Sequence, residues 1–293
     1  MGKRFCRLFQ TGMKGAMYLL PWSMPKLLEG PGKIKELPAM IKVNGYKKVL
    51  IVTDKTLMKL HLLDNLLEAL DAAQIQYALY DGVAPNPTDV QVEEGVALYR
   101  KHQCQAMIAF GGGSAMDCAK VIGARIVRPH KSVRRMQGLL RVLYPIPTIY
   151  AVPTTAGTGS ETTIAAVITE YKTHHKASIT DLSLMPKYAV LDPELTVGLP
   201  PHVTTTGMDA LCHAVEAYTN NTYNTKLERE LCRKAVKLIY DNLYPVYQDG
   251  SNLQARQNMQ RAAFYAGRAF TRGSVGYVHA IGHTLSGLYG TPH

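Results

Sequence analysis

The sequence predicts a two-part chain, with a doubly wound α/β domain over residues 1–200 and an all-α domain over residues 201–293. From Tyr46 onward, short apolar runs alternate with helix-length segments, which is typical of a parallel sheet covered by helices on both faces. Beyond Pro200 the apolar residues recur at helical spacing only. With 293 residues and 46% hydrophobic content, the chain is long enough for two packed cores.

The elements follow in order along the chain. Strands are predicted at residues 49–54, 77–80, 106–110 and 148–152, with later extended segments at 164–169 and 188–191. Helical spacing fills the intervals up to Leu70, up to Tyr99 and over residues 115–125. In the second part, helices are predicted at residues 206–218, 227–243, 253–270 and 275–288.

Composition excludes several classes of protein. The formal net charge of +11 invites a nucleic-acid interpretation, but the main basic cluster, residues 130–135, lacks interleaved aromatic residues and is expected to be a solvated loop. Five cysteines without a CxxC pair are typical of reduced thiols in a reducing compartment. No window approaches the roughly 18 apolar residues of a membrane span. We therefore expect a cytoplasmic protein that binds neither nucleic acid nor membranes.

Two loops that follow predicted strands carry the residues expected to bind a nucleotide. The strand at 106–110 runs into Gly111-Gly112-Gly113-Ser114 and then a helix, an arrangement that cradles phosphate at a helix N-terminus. The GxGxxG spacing is missing, so a plain tight turn is the alternative. The polar loop at 153–161 follows another strand, and ligands of open α/β sheets collect at such ends. Asp54 is a candidate for the ribose hydroxyls, or else a helix N-cap.

A second constellation predicts a catalytic divalent-metal site. Asp209 and His213 are four residues apart in a predicted helix, so their side chains leave the same face, and His279 and His283 repeat that spacing. His293 follows a Thr-Pro turn at the end of the sequence. One carboxylate with several imidazoles suits Fe, Zn, Co or Ni better than Ca or Mg. The alternatives are that Asp209 caps a helix or forms a salt bridge and that His213 packs in the core.

Five motifs together resemble the iron-containing (group III) alcohol dehydrogenases. They are residues 110–117 (FGGGSAMD), 153–161 (PTTAGTGSE), 192–196 (DPELT), 207–216 (GMDALCHAVE) and 276–283 (GYVHAIGH). The resemblance spans nearly the whole chain. It implies a dehydroquinate synthase-like fold and hydride transfer between a nicotinamide cofactor and a small primary alcohol or aldehyde. The cofactor is expected to be NAD, with NADP as the alternative, and the metal Fe²⁺, with Zn²⁺ as the alternative. A homodimer or higher homo-oligomer is also implied.

The resemblance also implies individual roles. Asp209, His213, His279 and His293 fall on the four metal-ligand positions, and His283 falls on a histidine near the metal that is expected to relay a proton. The implied cofactor-contacting residues are Asp54, Asn86, Gly112, Gly113, Ser114, Thr154, Thr155, Thr158 and Lys176. Members of the family continue beyond the position of His293, so we expect the helical domain to be incomplete here. The alternative function is accordingly a nucleotide-binding remnant without turnover.

Overall fold

The computed structural model of the chain describes residues 7–8, 10–12, 14–15, 17, 20–220 and 222–289. Within these residues, a parallel α/β unit precedes a group of helices, as the sequence predicts. None of the described helices is long and apolar enough to cross a membrane.

A six-stranded parallel sheet forms the centre of the first unit. Its strands are β1 (Lys26–Glu29), β2 (Lys48–Val52), β3 (Gln76–Tyr80), β4 (Ala106–Gly111), β6 (Ile149–Pro153) and β9 (Tyr188–Leu191). They lie side by side in the order β1-β9-β6-β4-β2-β3. A smaller three-stranded sheet contains β5 (Gly138–Leu139), β7 (Ala165–Thr169) and β8 (Lys176–Thr180). The small sheet pairs β5 with β8 in parallel and β7 with β8 in antiparallel fashion.

Helices lie between the strands of the first unit and make up most of the second. In the first unit they are α1 (Leu37–Val43), α2 (Lys55–Lys59), α3 (Asp64–Ala72), α4 (Asp89–Lys101), α5 (Gly113–Val127) and α6 (Val133–Met136). In the second they are α7 (Pro201–Thr204), α8 (Gly207–Thr219), α9 (Lys226–Gln248), α10 (Leu253–Gly273) and α11 (Tyr277–Tyr289). The prediction of helices at 206–218, 227–243, 253–270 and 275–288 is confirmed within a few residues at most ends.

The large sheet is buried on both faces because its central strands are continuously apolar. In β4, Met107 and Ala109 belong to one hydrophobic cluster, while Ile108 and Phe110 belong to the cluster on the opposite face. All four side chains are fully buried. This explains why β4 reads as an uninterrupted apolar run rather than an alternating one, as expected for a doubly wound sheet.

The second unit is held together by small residues at the crossings of α8, α9 and α10. Ala210, Ala214 and Ala217 of α8 are fully buried in one cluster with Ala262 and Ala266 of α10. Alanine adds little bulk between two helices, so their backbones can approach closely, and it is also the best helix former. The α8 helix, which carries Asp209 and His213, is therefore firmly packed along this face.

Three local expectations differ from the structure. The helical segment up to Leu70 is two helices, α2 and α3, because the chain turns at His61, whose φ is 55°. The basic cluster at 130–135 includes one helical turn, α6, capped by the Ser132 side chain, rather than loop alone. Strands β1 and β8 were not predicted: both are only partly buried, so their sequences lack the apolar runs of central strands.

Candidate active site

The sheet topology places a crevice between the carboxyl ends of β2 and β4, since the chain moves from β2 to β3 on one side and reaches β4 on the other. Gly111 ends β4 with a φ of 148°, a conformation that favours glycine. A Cβ atom at Gly111 would lie 4.0 Å from Asp54 Oδ2, so the carboxylate that follows β2 borders residues 111–114, the glycine loop. Asp54 Oδ1 accepts hydrogen bonds from the amides of Thr56 and Leu57, so Asp54 also caps α2.

The two loops predicted to bind a nucleotide lie against each other. A Cβ atom at Gly113 would come within 3.0 Å of the Thr158 side chain, and one at Gly112 would lie 3.5 Å from Thr155 Oγ1. Thr154 is buried, and its amide donates to the Gly111 carbonyl at 3.0 Å. The structure thus brings the glycine loop and residues 153–161, the threonine loop, into one surface at the N-terminus of α5, where unpaired amides favour an anion.

Lys120, a buried cation that was not predicted from the sequence, holds the end of the threonine loop through hydrogen bonds. Lys120 of α5 is fully buried, and its Nζ donates to Ser160 Oγ at 2.9 Å, to Thr163 Oγ1 at 2.7 Å and to two backbone carbonyls. Ser160 in turn donates to Asp117 Oδ1 at 2.8 Å. Burial lowers the pKa of Lys120 to about 8, although Asp117 and Glu161 act to raise it. A lysine three residues after an aspartate on an apolar helix was the available signal.

Asn86 and Lys176 lie on separate segments of the chain. Asn86 is in the loop that follows β3 and has a left-handed φ of 58°. Lys176 begins β8, and its Nζ donates to Ser286 Oγ of α11 at 2.8 Å, so this side chain links the small sheet to the helical unit. Burial lowers the pKa of Lys176.

Three of the predicted metal ligands converge. Each of Asp209, His213 and His279 places a ligand atom within 4.8 Å of the other two. Asp209 Oδ1 is 3.2 Å from His279 Nε2 and 3.8 Å from His213 Nδ1. Both imidazoles are about 4% exposed, so α8 and α11 present the group in a protected position. One hard carboxylate oxygen and two imidazoles form a donor set that fits Fe²⁺ or Zn²⁺.

Ring stacking fixes the orientation of the two imidazoles. The His213 ring is stacked between Phe270 of α10 and His279 of α11, with centroid distances of 4.1 Å and 4.2 Å and interplanar angles of 17°. The His283 ring lies 6.1 Å from that of His279 and is tilted by 44°. It is partly exposed, beside the buried pair rather than within it. His293 falls outside the described residues, so its predicted place among the ligands stays a prediction.

Glu216, a second residue that the sequence analysis missed, contacts His279 from behind. Glu216 Oε2 is 2.5 Å from His279 Nδ1, and Glu216 Oε1 accepts the Val278 amide at 2.6 Å. Burial acts to raise the pKa of Glu216, but hydrogen bonds from Gly276, His279 and Val278 outweigh it and lower that pKa. Burial likewise acts to lower the pKa of His279, and hydrogen bonds with Asp209 and Glu216 reverse this and raise it. The signal in the sequence was the position of Glu216, seven residues after Asp209 and three after His213 on one helix.

The threonine loop also touches the start of α8, which carries Asp209 and His213, and the middle of α10. A Cβ atom at Gly157 would lie 2.6 Å from the carbonyl oxygen of Thr206, the residue that precedes α8, and one at Gly159 would lie 2.7 Å from the Cα of Gly267 in α10. Asp209 is three residues beyond Thr206. The candidate cofactor surface and the candidate metal group are therefore adjacent parts of one site.

Comparison with protein families decides which family this arrangement represents. The family profile of the iron-containing alcohol dehydrogenases matches residues 25–193, and the C-terminal profile of the same family matches residues 203–293. The chain belongs to the iron-containing alcohol dehydrogenase family. It is 42% identical over 286 residues to alcohol dehydrogenase 4 of Schizosaccharomyces pombe, an alignment that covers 97% of this chain and 67% of that protein.

Solved structures of the iron-containing alcohol dehydrogenase family have the same fold. A 1,3-propanediol oxidoreductase superposes with a TM-score of 0.88 at 40% identity, covering 93% of this chain and 71% of that one. A sulfoacetaldehyde reductase from Bifidobacterium kashiwanohense, solved in complex with NAD⁺, superposes with a TM-score of 0.84 at 30% identity, covering 93% of this chain and 72% of that one. The predicted fold class and the resemblance are thus confirmed.

Proposed function

We propose that this chain catalyses metal-dependent hydride transfer between NAD and a small primary alcohol or aldehyde. The observation that carries the proposal is the convergence of Asp209, His213 and His279 within 4.8 Å, next to a loop pair at the N-terminus of α5. The NAD⁺ complex of the sulfoacetaldehyde reductase supports the choice of cofactor. The alternative of a nucleotide-binding remnant without turnover is not favoured by the high identity to dehydrogenases across both units.

We assign the metal to Asp209, His213, His279 and, by resemblance alone, His293. A divalent cation held by these residues would supply a Lewis acid for negative charge that develops on the alcohol oxygen. His279 is suited to the role of ligand because its Nδ1 is occupied by Glu216, which leaves Nε2 facing Asp209. Burial of both imidazoles excludes bulk water and so strengthens the electrostatic interactions within the group.

We assign the cofactor to the crevice between β2 and β4. Backbone amides at Gly112, Gly113 and Ser114 would hold the pyrophosphate at the start of α5, and Thr154, Thr155 and Thr158 would line its nicotinamide side. The contact between the two loops supports this shared surface. Asp54, with one oxygen engaged in capping α2, would accept the ribose hydroxyls through the other, and Asn86 and Lys176 would contribute further contacts from the edge.

We assign to His283 the role of relaying the proton that the alcohol releases. Its ring is partly exposed and 6.1 Å from that of His279, so it lies beside the buried imidazoles and reaches solvent. A neutral imidazole accepts and releases protons near neutral pH, which suits a relay.

We also propose a cytoplasmic protein that associates as a homodimer or higher oligomer, with a domain boundary near residue 200. The free cysteines 104, 118, 212 and 232 are consistent with a reducing compartment.

The test measures cofactor binding and turnover separately. Chelator-treated protein is titrated with NAD by fluorescence, and NADH formation from short primary alcohols is then followed after addition of Fe²⁺ or Zn²⁺. We expect Asp209→Ala to abolish turnover and retain NAD binding, and Gly113→Val to weaken NAD binding. His175→Ala, at an exposed histidine in the turn that precedes β8, serves as the matched control. NAD binding without any metal-dependent turnover in the wild type would instead support the remnant.

A further inference from the structure

Glu216 is nearly buried, unlike a charged side chain at a protein surface. It lies on the same face of α8 as Asp209 and His213, and its side chain is only 9% exposed. One carboxylate oxygen is 2.5 Å from His279 Nδ1, and the other accepts the Val278 amide at 2.6 Å. A carboxylate that has been moved out of water toward an imidazole carries a desolvation cost, so its hydrogen bonds must compensate.

The hydrogen bond to Nδ1 determines which nitrogen of His279 carries the proton. An ionised carboxylate only accepts hydrogen bonds, so the contact requires a proton on His279 Nδ1. In the neutral ring the lone pair is then on Nε2, which is the atom that faces Asp209 Oδ1 at 3.2 Å. Glu216 therefore selects the tautomer, and the ring orientation, that a cation at Asp209 requires.

The position of the Glu216 carboxylate also explains why residue 276 is a glycine. A Cβ atom at Gly276 would lie 3.0 Å from Glu216 Oε1, so any larger residue there would push the carboxylate away from the start of α11. The same oxygen receives the Val278 amide, one of the N-terminal amides of α11 that lack a partner within the helix. Glu216 thus joins α8 to the first turn of α11 and holds His279 in register with Asp209.

We propose that Glu216 is a positioning residue for the metal, acting through the Nδ1–H of His279. The proposal rests on the proposed function, because it concerns the affinity of the same metal group. Glu216 does not touch the cation or the substrate in this role. From α8, the Glu216 carboxylate fixes which nitrogen of His279 on α11 is available to bind the metal. Removal of such a partner typically costs about 10- to 100-fold in metal affinity.

Glu216→Gln separates the two hydrogen bonds of the carboxylate. The glutamine carbonyl still accepts the Val278 amide, so the start of α11 keeps its partner, while the NH₂ group then faces His279 Nδ1. A donor in that position favours a lone pair on Nδ1 and a proton on Nε2, the opposite tautomer. We expect Co²⁺, a spectroscopic substitute for Fe²⁺ or Zn²⁺, to bind about 10- to 100-fold more weakly to this variant, measured by competition with a chromophoric chelator.

Two controls distinguish positioning from loss of fold. Glu230→Gln makes the same substitution at a half-exposed glutamate of α9, and we expect an unchanged Kd for Co²⁺ and an unchanged visible spectrum. In a His279→Ala background the Glu216→Gln substitution should no longer change the Kd, because the ring through which it acts is absent. Urea unfolding of the metal-free proteins should give the same midpoint for the wild type and Glu216→Gln.

The outcomes separate the inference from the function. A wild-type chain that does not bind Co²⁺ would overturn the proposed function itself. Tight Co²⁺ binding by the wild type together with an unchanged Kd in Glu216→Gln would overturn the positioning role alone. An equal loss of affinity with and without His279 would also overturn it, since Glu216 would then act through the start of α11 rather than through the imidazole.

Discussion

Replacing Gly267 by alanine tests how the threonine loop is seated on the helical unit. Gly267 lies within α10, and a Cβ atom there would be 2.6 Å from the carbonyl oxygen of Gly159 and 2.9 Å from its Cα. These are backbone atoms, which no rotamer change can move aside. The Thr162 hydroxyl, 2.3 Å from the same point, is itself hydrogen-bonded to the Gly159 carbonyl. To reach an ordinary contact of 3.4 Å, the loop would have to retreat by about 0.8 Å.

We expect Gly267→Ala to lower the free energy of unfolding, although helix propensity alone would favour alanine. In an exposed helix interior, glycine to alanine stabilises by about 1 kcal/mol. Overpacking a closely packed site typically costs about 1–3 kcal/mol. Because the contact at Gly267 involves backbone on both sides, we expect the cost to exceed the gain, leaving a net destabilisation of up to about 2 kcal/mol. The retreat of the loop should also move Thr155 and Thr158 away from the glycine loop and weaken NAD binding.

The assay compares Gly267→Ala with a glycine of another helix. A Cβ atom at Gly282 of α11 would meet no atom within 4 Å, so Gly282→Ala should raise the free energy of unfolding by up to about 1 kcal/mol. Both variants and the wild type are unfolded in urea and titrated with NAD by fluorescence. If Gly267→Ala is as stable as Gly282→Ala and binds NAD as the wild type does, the loop does not lie against α10 as described.

Three further predictions concern the buried polar groups and the loop contact. Burial raises the pKa of Glu161 from 4.5 to about 7, so the stability it contributes is complete below pH 4.5 and is lost as the pH rises through about 7. At 1.36 kcal/mol per pH unit, the unfolding free energy of the wild type minus that of Glu161→Gln should fall by about 3 kcal/mol between about pH 4.5 and pH 8; a constant difference would contradict this. Lys120→Met leaves the partners of a fully buried cation unsatisfied and should cost about 3–5 kcal/mol in urea unfolding, whereas a cost below about 1 kcal/mol would show that Lys120 does not hold the loop. Gly113→Ala places a Cβ atom 3.0 Å from Thr158 and should weaken NAD binding about tenfold in a fluorescence titration, and unchanged affinity would mean that the two loops do not meet.

Much of the fold could be predicted because the central elements carry unambiguous patterns. The strands β2, β4 and β6 are apolar at nearly every position, and α8 to α11 carry apolar residues at helical spacing over three turns or more. The strand β1 pairs only with β9 at the edge of the sheet and has two exposed residues out of four, so burial imposes no pattern on it. The strand β8 opens with Lys176, whose side chain reaches Ser286 rather than a core.

The candidate site was predicted less completely than the fold, for a related reason. Metal ligands and glycine loops are recognised by residue type and spacing, and Asp209, His213 and His279 converge as expected. Glu216 and Lys120 were missed because a charged residue on a helix is assigned to solvent by default. Each is buried only because a partner from a distant segment meets it, His279 in one case and Ser160 in the other. Such pairings are set by packing between elements, which spacing along one helix does not reveal.

The threonine loop has a second role that its composition conceals. A glycine-rich loop after a strand is usually interpreted as a phosphate cradle, and Thr155 and Thr158 do face the glycine loop. Its own glycines, however, face the other way: Gly157 approaches the backbone of Thr206, and Gly159 approaches that of Gly267. A side chain at either position would separate the loop from α8 and α10. The loop therefore serves two sides, with hydroxyls toward the candidate cofactor surface and bare backbone toward α10 and the start of α8, the helix that carries Asp209 and His213. A displacement on the helical side is consequently expected to change cofactor binding as well, which is why the Gly267 variant is measured with NAD and not by stability alone.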